Sequence, residues 1–271
     1  MTDKNRSKGI LKIAAAFFAG FILPRIIYYV FGRQLNALIP DTFILTVALQ
    51  IFESVLTVGL IFLLGKKDTL KIRKGGLKEG ILSCSFLIVI QIVLLLSKIS
   101  EITAAGNVSA SRVILALIYC VLIGITEEGL FRGLITDISL DITGIDTHKK
   151  AAIGIVIPSL LFGALHLTNA LSPDISLATA AVQALSAACA GAFLAVAFFR
   201  GGRSIWPGVI IHAIVDFAGF VSGGMLQGAS DTEAIGNLSV GGLIMIPLYL
   251  VIVYIIFRKE KYEQAVSLIC G

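Results

Sequence analysis

Long apolar runs, separated by short polar connections, dominate the chain. A bilayer core about 30 Å thick is crossed by roughly 20 apolar residues in a helix. Eight segments fit that pattern: residues 10–32, 42–65, 80–97, 113–134, 151–167, 175–199, 204–221 and 238–257. The runs are too long and continuous for barrel strands, which alternate over about ten residues. The pattern therefore predicts an all-α fold, a polytopic membrane helix bundle with about eight transmembrane helices, forming a single integral membrane domain over residues 1–271. The connections are too short to fold separately, so any chemistry belongs inside the membrane or at its face. No internal repeat or low-complexity tract interrupts the pattern.

Composition sharpens this reading. Hydrophobic residues make up 57% of the chain and charged residues only 14%, against about 25% charged in soluble domains. That deficit, with a mean hydropathy of +0.95, excludes an ordinary soluble enzyme, a disordered chain and a fibrous repeat. Lys4, Arg6, Lys8 and Lys12 precede the first apolar run, which is also how a signal peptide begins. The run continues past Pro24 and Arg25 to Phe31, so a first membrane anchor is expected. With the N-terminus inside, 17 of the 22 lysines and arginines fall on the inner side and three on the outer. This is the positive-inside asymmetry, and an even number of spans then places both termini in the cytoplasm. The expected location is a bacterial plasma membrane. The asymmetry accounts for the net charge of +5 without nucleic acid, and the basic loop 66–78 reads as a topology signal attracted to anionic lipid. Cys84, Cys120, Cys189 and Cys270 show no C-x-x-C spacing, so neither a disulfide framework nor a thiolate metal site is expected.

An ionisable group at the centre of a lipid-facing helix costs about 2.5–3.5 kcal/mol, which makes each one a functional candidate. The spans carry Arg25, Glu53, Glu127, Glu128, Arg132, His166, His212 and Asp216. Six of these fall in three clusters. In the first, Thr126-Glu127-Glu128-Gly129-Leu130-Phe131-Arg132, residues 128 and 132 share a helical face and can pair. Glu127 lacks that partner and suits a general base; the competing reading is a structural ion pair with a spare glutamate. In the second, Phe162 and His166 share a face, and the ring of Phe162 can wall the histidine from lipid. A packing histidine is the plainer alternative. In the third, Trp206 and Pro207 suit an interfacial helix start, and His212 and Asp216 lie one turn apart. They can form an orienting carboxylate–imidazole pair, two metal ligands, donors to a substrate oxygen, or a polar clamp between helices. The inventory fits water activation. No serine lies one turn from these histidines, and neither a G-x-S-x-G elbow nor an H-E-x-x-H helix is present.

E-E-x-x-x-R, then F-x-x-x-H, then H-x-x-x-D, in that order on hydrophobic spans, resembles the CPBP intramembrane proteases. These include the CAAX prenyl endopeptidases and bacteriocin-processing or immunity-type relatives. The motif-bearing core covers about residues 111–222. The resemblance implies that Glu127 and His166 activate the attacking water and that His212 and Asp216 stabilise the oxyanion. It also implies that Glu128 and Arg132 support the site, with Phe162 and Trp206 as structural support. The implied partners are the lipid bilayer and a membrane-embedded or lipidated peptide or protein substrate.

One position departs from the family. Its eukaryotic-type members carry Asn where this chain has Asp216, and an ionised Asp cannot donate to an oxyanion. Asp216 must be protonated, orient His212, or ligate a metal. A divalent metal such as zinc is thus a candidate cofactor, with Glu127, His166, His212 and Asp216 as candidate ligands. Depth adds a constraint. At 1.5 Å per residue, Glu127 lies roughly 20 Å from the outer end of its helix and His166 about 5 Å from that of its own. The two meet only if the fifth span tilts, kinks at Pro158, or keeps residues 168–174 within the membrane. Two non-enzyme readings stand beside the protease: a small proton-coupled transporter, which breaks helices at mid-membrane, and an interaction or immunity protein on a protease-like scaffold.

Overall fold

The computed structural model describes residues 3–104, 109–172, 175–222, 226 and 239–271. Among those residues 88% are helical and none lies in a strand. Helix α1 (Asp3–Phe17), a π-helical turn (Phe18–Ile22) and α2 (Leu23–Leu38) form one rod, followed by α3 (Thr42–Leu63). A 3-10 turn (Lys67–Leu70) leads to α4 (Gly76–Ser83) and α5 (Ser85–Ala104). Helix α6 (Ala110–Glu128) continues through a π-helical segment (Gly129–Thr136) into α7 (Asp137–Thr143), and α8 (His148–Leu165) continues into a 3-10 segment (His166–Leu171). Then come α9 (Leu177–Arg200), α10 (Trp206–Ser222), α11 (Ser239–Ile256) and α12 (Lys259–Cys270). Side-chain caps set several starts: Asp41 accepts from the amides of Phe43 and Ile44, Ser109 from Arg112, Thr147 from Lys150 and Ser176 from Thr179. Each cap satisfies an amide that the first helical turn leaves without a partner.

Five rods are long and apolar enough to cross a membrane: Lys4–Leu38, Thr42–Leu63, Ala110–Thr143, His148–Leu171 and Leu177–Arg200. The span expected at 80–97 is instead a broken one, Gly76–Ser83 and Ser85–Lys98, bent by 60°. It brings the number to six. Trp206–Val221 and Leu243–Ile256 are apolar but shorter. Each of the eight expected segments thus corresponds to one of these apolar helices or to the broken pair, and up to six of them pass by length and composition among the described residues. Large apolar side chains such as Leu11, Phe62, Leu160 and Tyr254 are exposed around the molecule. A soluble monomer rarely tolerates so much apolar surface, and this is an integral membrane protein.

Helix α9 runs through the centre. Its last third, from Phe193 to Arg200, is buried without a break and anchors the largest core cluster, with Leu87, Ile155, Val209, Tyr249 and Tyr262 drawn from five other helices. Small residues allow this: a Cβ on Gly163 of α8 would lie 2.5 Å from the Ala184 carbonyl oxygen, so the two backbones touch. A second cluster joins Ala16, Ile61, Leu130, Phe131, Leu134, Ile135 and Phe162. It sets the first rod and α3 against the π-helical segment.

The fourth span does not end near Leu134 as expected, because Asp137 and Asp141 have distant partners. Lys66 bonds Asp137 at 2.7 Å and also pairs with Asp141. Arg203 reaches Asp137 at 2.5 Å and Asp141 at 2.7 Å. To do so it adopts φ 63°, a left-handed conformation uncommon for a residue with a Cβ. Once neutralised, the two aspartates let the helix run on to Thr143.

Candidate active site

The site is assembled where α6 turns π-helical. Just before it, α3 grips α6 through side chains. Ser54 Oγ donates to the Leu122 carbonyl at 3.0 Å and lies 2.9 Å from Thr126 Oγ1, and Gln50 Nε2 donates to Thr126 Oγ1 at 2.8 Å. Glu127 and Glu128 follow at once. Hydrogen bonds from i to i+5 widen the helix from Gly129, a deviation common at functional sites, and every residue from Glu128 to Leu140 is buried.

Glu128 is the hub. Its side chain has no exposure. Arg132 Nη1 approaches Oε1 to 3.0 Å, and His212 Nδ1 bonds the same oxygen at 2.9 Å. The arginine contact is a close ion pair without hydrogen-bond alignment, so Nη1 and Oε2 have no hydrogen-bond partner. Arg132 Nη2 donates to the Gly191 carbonyl at 3.2 Å, tying the pair to α9. Gly208 makes the fit with α10 possible: a Cβ there would lie 2.5 Å from Glu128 Oε2.

A ladder of rings leads from this pair to the second motif. The Arg132 guanidinium lies 4.7 Å from the Phe162 ring centre, Phe131 packs edge-on to Phe162 at 4.8 Å, and Phe162 packs edge-on to His166 at 5.0 Å. His166 Nδ1 donates to the Phe162 carbonyl at 3.0 Å, because a carbonyl only accepts. This fixes the tautomer of the neutral ring and leaves Nε2 as an acceptor.

The third motif closes the site from α10. Carboxylate Glu128, rather than Asp216, orients His212 through Nδ1. Nε2 then lies 3.5 Å from both Glu127 Oε2 and Asp216 Oδ2, at ion-pair distance from each. The Glu127 side chain is 34% exposed and that of Glu128 0%, so only the first is open to an incoming molecule. Trp206 starts α10, and its Nε1 donates to the Leu70 carbonyl at 2.7 Å, pinning the helix to the 3-10 turn.

All six charged or imidazole residues of the motifs thus join one network or its aromatic extension, with one gap. No hydrogen bond or ion pair joins His166 to Glu127 among the described residues. Helical structure does continue beyond His166 to Leu171, so the histidine is not at the end of its span; Asp174 lies outside the described residues. Among those residues no group of three or more His, Cys, Asp and Glu is arranged to hold a metal ion. Sequence reasoning missed Gln50, Ser54, Gly191 and Gly208. The first two are uncharged, and the glycines act through a carbonyl and through empty space. A carboxylate pair four residues apart, Asp137 and Asp141, was visible but lay beyond the expected span end.

Fold and site together define an integral membrane protein of helices with a buried carboxylate–arginine–imidazole network. Residues 109–218 match the family model described as type II CAAX prenyl endopeptidase Rce1-like, consistent with the CPBP intramembrane proteases. The matched segment covers less than half of the chain and carries all three motifs. No curated protein and no solved structure matches the chain.

Proposed function

We propose that the chain hydrolyses a peptide bond in a membrane-associated, prenylated or otherwise lipidated substrate, with Glu127 as general base. The observation that carries this reading is the division of labour between adjacent glutamates. Glu128 is buried and engaged by Arg132 and His212, while Glu127 is open and faces His212 Nε2. Water held at Glu127 loses a proton to its carboxylate as the oxygen adds to the peptide carbonyl carbon. The C–N bond then breaks, and the departing amine takes that proton. His212, as the imidazolium, donates from Nδ1 to Glu128 and from Nε2 to the developing oxyanion beside Asp216. His166 is assigned to the same water through its free-standing Nε2, acting across substrate or water rather than through a bond to Glu127. Arg132 balances Glu128 and keeps it from competing as a base.

None of these steps calls on a metal ion. The distribution of lysine and arginine supports an orientation with both termini cytoplasmic, in what we read as a bacterial plasma membrane. Purified protein in liposomes, given a prenylated C-terminal peptide, is expected to release the terminal fragment in a Glu127-dependent reaction. Proton-coupled uptake with no cleavage would move the reading to a transporter.

A further inference from the structure

Arg25 and Glu53 are the intramembrane charges that the three motifs leave over, and both precede the matched segment 109–218. Each lies near the middle of its rod, Lys4–Leu38 or Thr42–Leu63, as Glu127 does in Ala110–Thr143. A close contact sets their common level. A Cβ on Gly20, in the π-helical turn of the first rod, would lie 2.8 Å from Leu130 Cδ1 and 3.5 Å from Leu60 Cδ1. The Lys66 end of the molecule is also where Lys12 bonds the Leu64 carbonyl, so direction along the three rods is defined. Moving away from that end, about one turn of the first rod leads from Gly20 to Arg25. About two turns of α3 lead from Leu60 to Glu53, and about one turn of α6 from Leu130 to Glu127.

The three charges converge, and their electrostatics agree. Arg25 and Glu53 feel each other's charge, and each feels the charge of Glu127. Neither forms an ion pair among the described residues. Arg25 Nη1 donates to the Phe21 carbonyl at 2.9 Å, and its guanidinium lies 3.5 Å over the Phe21 ring, which holds it in place. A salt bridge left unclosed is a poor stabilising device for two charges that each cost energy in lipid. We propose that Arg25 and Glu53 are positioning residues, an opposed charge pair that balances the field at Glu127 and holds its carboxylate toward the attacking water. The inference rests on the protease reading. The other charged groups that face Glu127 are Glu128 and Arg132 on its own rod and His212 and Asp216 on α10. Those four belong to the network already described, and Arg25 and Glu53 complete the circle from the α2 and α3 side.

The test is cleavage of a prenylated peptide in liposomes, with kcat, KM and melting temperature measured for wild type and Arg25→Gln, Arg25→Lys, Glu53→Gln, Arg25→Gln/Glu53→Gln and Glu127→Gln. Arg25→Gln is expected to lose kcat on the order of tenfold, the scale of one unit charge acting across several ångströms of intermediate dielectric. Its KM and melting temperature stay near wild type. Arg25→Lys keeps the charge and most of kcat, and the double variant recovers to within about threefold of wild type, as coupled sites do. Wild-type kcat in Arg25→Gln, or a double variant slower than either single, overturns the proposal. So does a melting temperature that falls in step with kcat, because the pair is then scaffold. If Glu127→Gln is inactive while Arg25→Gln is fully active, the pair's role fails and the protease reading survives. If Glu127→Gln cleaves like wild type, both fail.

Discussion

At the scale of single residues, the Glu128–Arg132 pair decides most. Neither side chain has solvent to fall back on, at 0% and 2% exposure. Arg132→Ala strands a buried carboxylate, and such a loss costs about 3–5 kcal/mol. Denaturation in detergent is expected to show that loss, and Glu128→Gln/Arg132→Met is expected to recover stability more than activity. Unchanged stability in Arg132→Ala contradicts the pair. Asp216 is the second test. It shares His212 Nε2 with Glu127, and no step in the proposed chemistry needs its charge. Asp216→Asn keeps a hydrogen-bonding group and is expected to retain cleavage, extended toward higher pH because an amide does not ionise, with no stoichiometric metal bound before or after substitution. An inactive Asn variant that has lost one equivalent of metal contradicts this. The i,i+4 rule made the Glu128–Arg132 pair legible in the sequence. His212 was legible as a candidate, but its true orienting partner was not, because Glu128 lies on another helix.

At the scale of elements, the site depends on how closely α10 approaches α6. Gly208 permits that approach, and the atom it faces cannot retreat: Glu128 Oε2 belongs to a fully buried side chain held by Arg132 and His212. Gly208→Ala is therefore expected to cost about 1–3 kcal/mol through overpacking. It is also expected to reduce kcat more than tenfold by displacing Glu128, a scale comparable to misplacing a catalytic group by about 1 Å. Normal kcat in a folded Gly208→Ala protein contradicts the close approach. Most rods were legible from hydropathy alone, since length and apolar content suffice to define them. The 60° break at Cys84 and the π-helical segment after Glu128 were not. Both are tertiary outcomes at short, apolar, glycine-containing stretches that read locally as ordinary helix. The span through His166 ran longer than expected because polar Thr168 and Asn169 are accommodated in a 3-10 segment, with Thr168 Oγ1 donating to the Leu165 carbonyl and Asn169 Nδ2 to Gln183.

At the scale of the whole molecule, two charged networks have separate duties. The one around Lys66, Asp137, Asp141 and Arg203 closes the end of the bundle remote from Glu127 and ties two connections to α7. Removing Asp137 leaves two poorly solvated cations sharing Asp141. Asp137→Ala is expected to lower stability by about 1–3 kcal/mol while the folded fraction keeps its kcat, measured by denaturation and active-site titration. A selective loss of kcat would instead link that end to the chemistry. The network around Glu128 draws the three motifs together, and in the proposed reading it makes them one locus for water activation. The most direct test of that claim is the cleavage rate of a prenylated C-terminal peptide by purified Glu127→Gln in liposomes, beside wild type and at matched melting temperature. A general base contributes typically 10²–10⁴-fold, so the expected result is a loss of at least about a hundredfold with stability unchanged. Cleavage by Glu127→Gln at the wild-type rate contradicts the account.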